Sequence, residues 1–317
     1  MRNDWLRLGG KRIRNHFCRQ SVPRSASRLL FHLLNCAPFI PSLARMIRSG
    51  VTVSLVSELR GGPFIFWNDL AAGCAQAAAL GFDAVELFYH EPAAVNVAEL
   101  RQLLAKHNLT VAAFGSGAGW VKHKLRLTDA DADVRRRAIK FAAEFIDVAA
   151  QFRAPIILGS MQGRWGDGVS RDQAFEWLAD GLNELGGHAA QHNLPVLYEF
   201  LNRYETNLCN NVEQALGLLK ALHSQNVKLL CDLFHMNIEE RDIATALKLA
   251  GSRLGHVHFV DTNRRAVGFG HLEVQPIADA LRHIGYDGFV SAEAIPLPDG
   301  DTAAKQTIET FRRYFPR

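Results

Sequence analysis

The 317-residue chain lacks any uninterrupted apolar run approaching the roughly 20 residues that a membrane-spanning helix needs, which excludes a bitopic or polytopic protein. Its five cysteines, at positions 18, 36, 74, 209 and 231, are odd in number and show no CxxC spacing. A disulfide scaffold and a thiolate zinc framework are both set aside, and a reducing, cytoplasmic setting is expected. Acidic residues are nearly missing from residues 1–50, which hold ten Lys or Arg against Asp4 alone, a net +9 in a chain of net +4. Residues 51–317 therefore carry −5. A mildly acidic body is a poor partner for phosphate backbones, so neither a nucleic acid nor a membrane is an expected partner.

The Arg-rich opening segment has only a weak apolar stretch, Leu29 to Leu43, broken by His32, Asn35, Pro38 and Pro41. It does not have the shape of a secretory signal, and a transit peptide fits its composition better. The preferred reading is a poorly ordered basic extension over 1–50, with Met46 as an alternative start. From Val51 onward short β-branched or apolar runs alternate with amphipathic helical stretches. Strands are expected at 51–56, 84–88, 110–114, 155–158, 195–200, 227–231, 255–260 and 289–293. Helices are expected at 67–80, 130–151, 171–192, 211–223, 239–250 and 302–314. Eight alternations without a linker predict one α/β domain over 51–317, a (β/α)8 TIM barrel with the helices outside. Similar junctions, LGFDAV (80–85) with IGYDGFV (284–290) and HNLTV (107–111) with HNLPV (192–196), place Gly or Asn where a helix ends and a strand begins.

The stretch CDLFHMNIEE (231–240) ends an apolar run on an acid. Alone, Asp232 would open a turn or cap a helix. It gains meaning from Glu199, His258 and Glu293, which stand at the carboxyl ends of three other expected strands, separated by about one strand-plus-helix unit each. Three carboxylates converging on one rim are too costly to bury without a cation. With one imidazole they suit an oxygen-preferring divalent ion, Mn²⁺, Mg²⁺ or Co²⁺, better than a structural zinc.

These segments resemble the xylose-isomerase-like barrel superfamily, and within it the ketose 3-epimerases related to D-tagatose 3-epimerase. The resemblance rests on EFLNRYET (199–206), DLFHMNIEE (232–240), GHVHFVDTNR (255–264) and Glu293, and spans most of residues 51–317. It implies a divalent metal, Mn²⁺ first among the candidates, held by Glu199, Asp232, His258 and Glu293. It further implies that Glu199 and Glu293 act as the acid/base pair, and that Glu205, His235 and Arg264 contact substrate oxygens. Hydroxypyruvate isomerases of the same superfamily commonly carry Gln where this chain has His258, which favours the epimerase side. The implied reaction is isomerisation or epimerisation of a ketose through a metal-stabilised enediolate, on a small sugar or sugar-acid substrate, with self-association left open.

Two further loops, GSGAGWVKHKLRL (115–127) and GSMQGRWGDG (159–168), bring Lys122, His123, Lys124, Arg126 and Arg164 to the rim. They would suit an anionic substrate, or else point to solvent and pair with acids such as Asp129 and Asp167. Trp120 and Trp165 are candidates for an apolar wall or lid. The alternatives are a decarboxylase or dehydratase of a keto sugar acid that uses the same metal enolate, and an apurinic-endonuclease-like nuclease; the latter would want more rim histidines and a less acidic body.

Overall fold

A computed structural model describes residues 46–316. Its strands are β1 (Arg48–Ser54), β2 (Phe66–Trp67), β3 (Ala84–Phe88), β4 (Thr110–Gly115), β5 (Ile156–Leu158), β6 (Val196–Glu199), β7 (Val227–Asp232), β8 (Leu254–His258) and β9 (Phe289–Ala292). All pairings between them are parallel, in the order β2-β1-β3-β4-β5-β6-β7-β8-β9, and β1 also pairs with β9. That last pairing closes an eight-stranded barrel, the (β/α)8 fold expected from the alternation. The two-residue β2 is an addition: it joins β1 at Val53 and Ser54, above the stretch of β1 that pairs with β9. The first strand begins at Arg48, three residues inside the segment assigned to the basic extension; residues 1–45 of that segment lie outside the described residues.

The helices are α1 (Leu70–Leu80), α2 (Val97–His107), α3 (Ala118–Val121), α4 (Ala132–Ala150), α5 (Arg171–Ala190), α6 (Val212–Ala221), α7 (Leu233–Glu239), α8 (Ile243–Ala250), α9 (Val274–His283) and α10 (Gly300–Tyr314). Their starts follow from local chemistry. Asp69, Asn96, Asp131, Ser170, Asn211, Asp242 and Asp299 each accept a backbone N–H of the first helical turn. Such a cap stabilises a helix by about 1 kcal/mol. The junction motifs work as expected: Gly81, Asn108, Asn193 and Gly285 all have positive φ and turn the chain from helix to strand. Between helices and sheet, side chains such as Phe114, Phe145, Leu158 and Phe311 are fully buried, each stabilising the fold by roughly 1.5–3 kcal/mol. Among the described residues no helix is long and apolar enough to cross a membrane.

One expectation is corrected by this anatomy. A single helix over 239–250 is replaced by two, because Asp232 starts α7 directly from the strand end and the chain breaks at Glu240 before Asp242 caps α8. The stretch directly after Asp232 is itself helical, and its first turn carries His235.

Candidate active site at the carboxyl end of the barrel

Strand alternation sends every second side chain inward. In β8 this selects His256 and His258, both buried, and in β3 it selects Glu86. Asp232 and His258 are direct cross-strand neighbours on β7 and β8. Glu199 ends β6, and Glu293 follows β9 by one residue. One ligand-capable atom from each of Glu199, Asp232, His258 and Glu293 falls within 4.8 Å of the others, all four residues being buried. His258 Nδ1 stands among the carboxylates, 3.3 Å from Glu199 Oε1, 3.4 Å from Asp232 Oδ2 and 3.4 Å from Glu293 Oε2.

Asp232 divides its two oxygens between two tasks. Oδ1 caps α7, accepting from the backbone N–H groups of Phe234 at 2.7 Å and His235 at 3.3 Å, while Oδ2 faces the cluster. The cap and the inward carboxylate, alternatives on the sequence alone, coexist. The cap fixes the χ angles that aim Oδ2.

The electrostatics show a site that calls for positive charge. Burial raises the Glu199 carboxyl above its ordinary range, a shift only partly offset by His258. For Asp232 burial acts in the same direction, but His235, His258 and Arg264 outweigh it and hold the group well below the carboxylate range. Burial opposes charge on His258, yet Glu293, Glu86 and its bonds to Asp232 and Glu199 raise its pKa well above the ordinary imidazole value. Three carboxylates thus crowd around the imidazoles of His258 and His235 and the edge of Arg264, a concentration of acidic groups that a divalent ion matches. His235 Nε2 is buried with no hydrogen-bond partner, 4.0 Å from Glu199 Oε1 and 3.9 Å from Asp232 Oδ2. An orphaned donor aimed into a polar cavity is a group waiting for a ligand oxygen.

That donor has a defined tautomer. Asn202 Oδ1 accepts the Tyr204 backbone N–H at 2.9 Å, which orients the amide so that Nδ2 donates to His235 Nδ1 at 2.7 Å and to Glu205 Oε1 at 3.1 Å. The His235 proton is therefore on Nε2, facing the cavity. Arg264 reaches the same cavity from a left-handed backbone position, φ 60°. Its Nη1 lies 3.3 Å from Glu205 Oε1 and its Nη2 3.5 Å from Glu293 Oε2, with the guanidinium over the Phe234 ring. Glu205, His235 and Arg264 all line the same cavity of about 440 Å³ as Glu199 and Glu293.

Four residues that the sequence did not single out complete the site. Gln162 donates to the carbonyls of Gly159 and Glu199 and accepts from the Tyr198 hydroxyl, bracing the ends of β5 and β6 against each other. At Gly159 an added Cβ would collide with Glu199 Oε2 and lie 3.3 Å from its Cδ. Gly159→Ala is expected to displace the Glu199 carboxylate and lower turnover by about 10²-fold with little change in melting temperature, measured by steady-state kinetics beside thermal unfolding. Asn202, described above, is the third. Glu86 is the fourth: buried within the barrel, it accepts from His256 Nε2 at 2.7 Å and His258 Nε2 at 3.1 Å. Burial works against its charge, but the two imidazoles hold it ionised. It keeps the Nε2 proton on His258 and so turns Nδ1 toward the carboxylates. Glu86→Gln leaves one imidazole facing an amide NH₂ instead of an acceptor, and is expected to weaken divalent-ion affinity by about 10–100-fold in equilibrium dialysis. Two signals in the sequence could have found this pair: a lone acid inside the strand AVELF, and a second histidine two residues before His258.

The basic loop residues mostly have local partners. Arg126 pairs with Asp129 at 2.6 Å and lies over Trp120, Lys122 is 3.8 Å from Glu58, and Lys124 donates to the Val121 carbonyl. His123 Nε2 is 3.1 Å from the His90 carbonyl. Trp120 lines the cavity, as do Arg126 and Arg164, whereas Trp165 turns away and donates its indole N–H to the Asn207 carbonyl. The apolar wall is made by Trp120 with Phe64 and Phe88.

A closed parallel barrel with three carboxylates and an imidazole on its carboxyl rim, and a polar cavity above them, defines the class of metal-assisted sugar isomerases and epimerases. The family described as xylose isomerase-like TIM barrel matches residues 74–314. A D-psicose 3-epimerase of Agrobacterium fabrum is 32% identical over 224 residues, which cover 69% of this chain and 76% of that one. An L-ribulose 3-epimerase of Mesorhizobium japonicum is 29% identical over 234 residues, which cover 72% of this chain and 76% of that one. The crystal structure of D-allulose 3-epimerase from Methylomonas sp. in complex with D-allulose superposes with a TM-score of 0.72 at 23% identity, over 86% of this chain and 98% of that one, a likeness of fold. The chain belongs to the xylose isomerase-like TIM-barrel family.

Proposed function

We propose that the protein is a ketose 3-epimerase that uses a divalent ion, Mn²⁺ by the chemistry of its donors, with Glu199 and Glu293 as the acid/base pair. The observation that carries this reading is the placement of the two glutamates. β6 and β9 are separated by β7 and β8 in a ring of eight strands, so the carboxylates approach the cavity from well-separated sides. Epimerisation needs that: a proton leaves one face of a carbon and another arrives at the opposite face.

Glu199, Asp232, His258 and Glu293 would hold the ion. When bound, it supplies Lewis acidity to the ketone and the neighbouring hydroxyl, which acidifies the C–H at carbon 3. One glutamate then takes that proton. The other returns a proton from the far side. The Nε2–H of His235 and the guanidinium of Arg264 donate to substrate oxygens as negative charge grows there, and Glu205, held by Asn202 and Arg264, accepts from a hydroxyl. Trp120, Phe64 and Phe88 cover the less polar flank of the sugar and exclude water.

The proposal extends to one catalytic domain over 51–317 and a cytoplasmic setting, the latter supported by Cys74, Cys209 and Cys231, which are free and buried. The epimerase activities of the relatives do not favour the decarboxylase, dehydratase or nuclease alternatives. A panel of neutral, acidic and phosphorylated ketoses, incubated with Mn²⁺-loaded protein and resolved by chromatography, tests the reading: the expected product is the carbon-3 epimer of a neutral ketose. Turnover of sugar acids alone, with release of CO₂, would oppose it.

A further inference from the structure

The second convergence of ligand atoms lies far from the rim in the chain's architecture. His188 stands in the last turn of α5, and His192 follows four residues later, beyond the helix end at Ala190. Asp147 comes from the neighbouring helix, α4. His188 Nε2 lies 2.7 Å from Asp147 Oδ1 and His192 Nε2 lies 3.2 Å from the same oxygen. One ligand atom from each of the three falls within 4.8 Å of the others.

We propose that Asp147, His188 and His192 form a second metal site, for a borderline transition ion such as Zn²⁺, that clamps α4 to α5. Histidines at i and i+4 present their rings on one helical face one turn apart, the spacing at which two imidazoles chelate one ion. Here that spacing is held beyond the helix end. His192 donates its backbone N–H to the Ala189 carbonyl, Asn193 donates to Ala190, and Asn193 adopts φ 57°, so the turn carrying His192 is closed and cannot swing freely. The third ligand is fixed separately, because α4 and α5 are anchored through buried side chains on each, Ile146 and Ala149 on α4, Leu185 and Ala189 on α5. Both rings aim the same nitrogen at one carboxylate oxygen, whereas a simple surface ion pair engages one ring.

The chemistry of this trio differs from that of the rim. Two neutral imidazoles and one carboxylate suit Zn²⁺, Cu²⁺ or Ni²⁺, while three carboxylates and one imidazole suit Mn²⁺ or Mg²⁺. The trio is also partly open: the side chains of His188, His192 and Asp147 are 30%, 34% and 54% exposed, so ions enter without unfolding and water completes the coordination. α5 ends where the chain turns toward the start of β6, so the clamp sits at the amino-terminal end of the barrel, opposite the catalytic rim. An ion there binds the folded protein and not the unfolded chain, and so stabilises it without touching the reaction.

The test compares three forms of the full-length protein, each saturated with Mn²⁺ and then titrated with ZnCl₂: wild type, the double variant His188→Ala/His192→Ala, and the rim variant Asp232→Asn. Bound zinc is counted by equilibrium dialysis with elemental analysis, and melting temperature is followed in parallel. The expected result is that wild type and Asp232→Asn both take up about one Zn²⁺ beyond any exchanged at the rim and melt roughly 5 °C higher with it. The double variant shows neither change and keeps the wild-type epimerisation rate. If the double variant gains the same zinc and the same melting shift as wild type, or if Asp232→Asn gains none, the clamp does not exist.

Discussion

Glu293→Gln, and separately Glu199→Gln, will reduce turnover of the ketose substrate by about 10²–10⁴-fold, because each residue is assigned both a proton-transfer role and a place among the ion's ligands. Glutamine keeps the volume of the side chain and a carbonyl oxygen to face His258 Nδ1, so the barrel end is not hollowed out. What it removes is the ability to carry a proton. Glu199 and Glu293 each come within 3.3–3.4 Å of His258 Nδ1, and each is nearly enclosed, so neither can be replaced in its role by water from bulk. Stopped-time assays on protein of known metal content separate the two duties. A variant that retains its ion yet loses turnover has lost proton transfer; one that loses both has lost a ligand. Full activity with full metal content in both variants would remove the proposed mechanism.

Stripping the ion with a chelator will abolish activity to below about 0.1% of the loaded enzyme, and Mn²⁺ will restore it; assays before and after dialysis into Mn²⁺ measure this. The charge balance is the reason for so large an effect. Around the cavity floor stand Glu199, Asp232 and Glu293, with Glu205 at the edge, against Arg264 and the imidazoles of His235 and His258. Without the ion, His258 is drawn toward its protonated form by the carboxylates around it, and Nδ1 is then a donor to them. That arrangement is stable, but it offers no electrophile to a ketone. Magnesium, a harder ion, should restore less activity than Mn²⁺ at equal concentration, because one ligand is an imidazole nitrogen.

How much of this was legible in the sequence depends on how locally each feature is encoded. The barrel was legible because alternation and junction residues are local: Gly81, Asn108, Asn193 and Gly285 mark four helix-to-strand turns, and each has the left-handed backbone its residue type suggests. The rim residues were legible because a strand end is a place in sequence as well as in space. Three features were not. The double use of Asp232, one oxygen on α7 and one on the cluster, needs the helix to start without a loop, which the run DLFHMNIEE does not announce. Glu86 lies 170 and 172 residues from His256 and His258, so only barrel closure brings them together. Asn202 acts by setting a tautomer, and no spacing rule predicts which nitrogen of His235 bears the proton. For the loop cations the sequence left two readings open, an anionic substrate or local pairing, and the fold gives Arg126 and Lys122 the second, with Asp129 and Glu58. Arg164 is exposed and, like Arg126, lines the cavity.

The central claim is that two glutamates on different sides of one cavity exchange protons at carbon 3 of a ketose. Turnover of a neutral ketose by the Mn²⁺-loaded protein in D₂O, followed by NMR of the product at low conversion, tests it most directly. The account predicts deuterium at carbon 3 of the epimerised product, with loss of that signal in Glu293→Gln. An epimer carrying the original hydrogen at carbon 3, or deuterium at carbon 1 in an aldose, would contradict it.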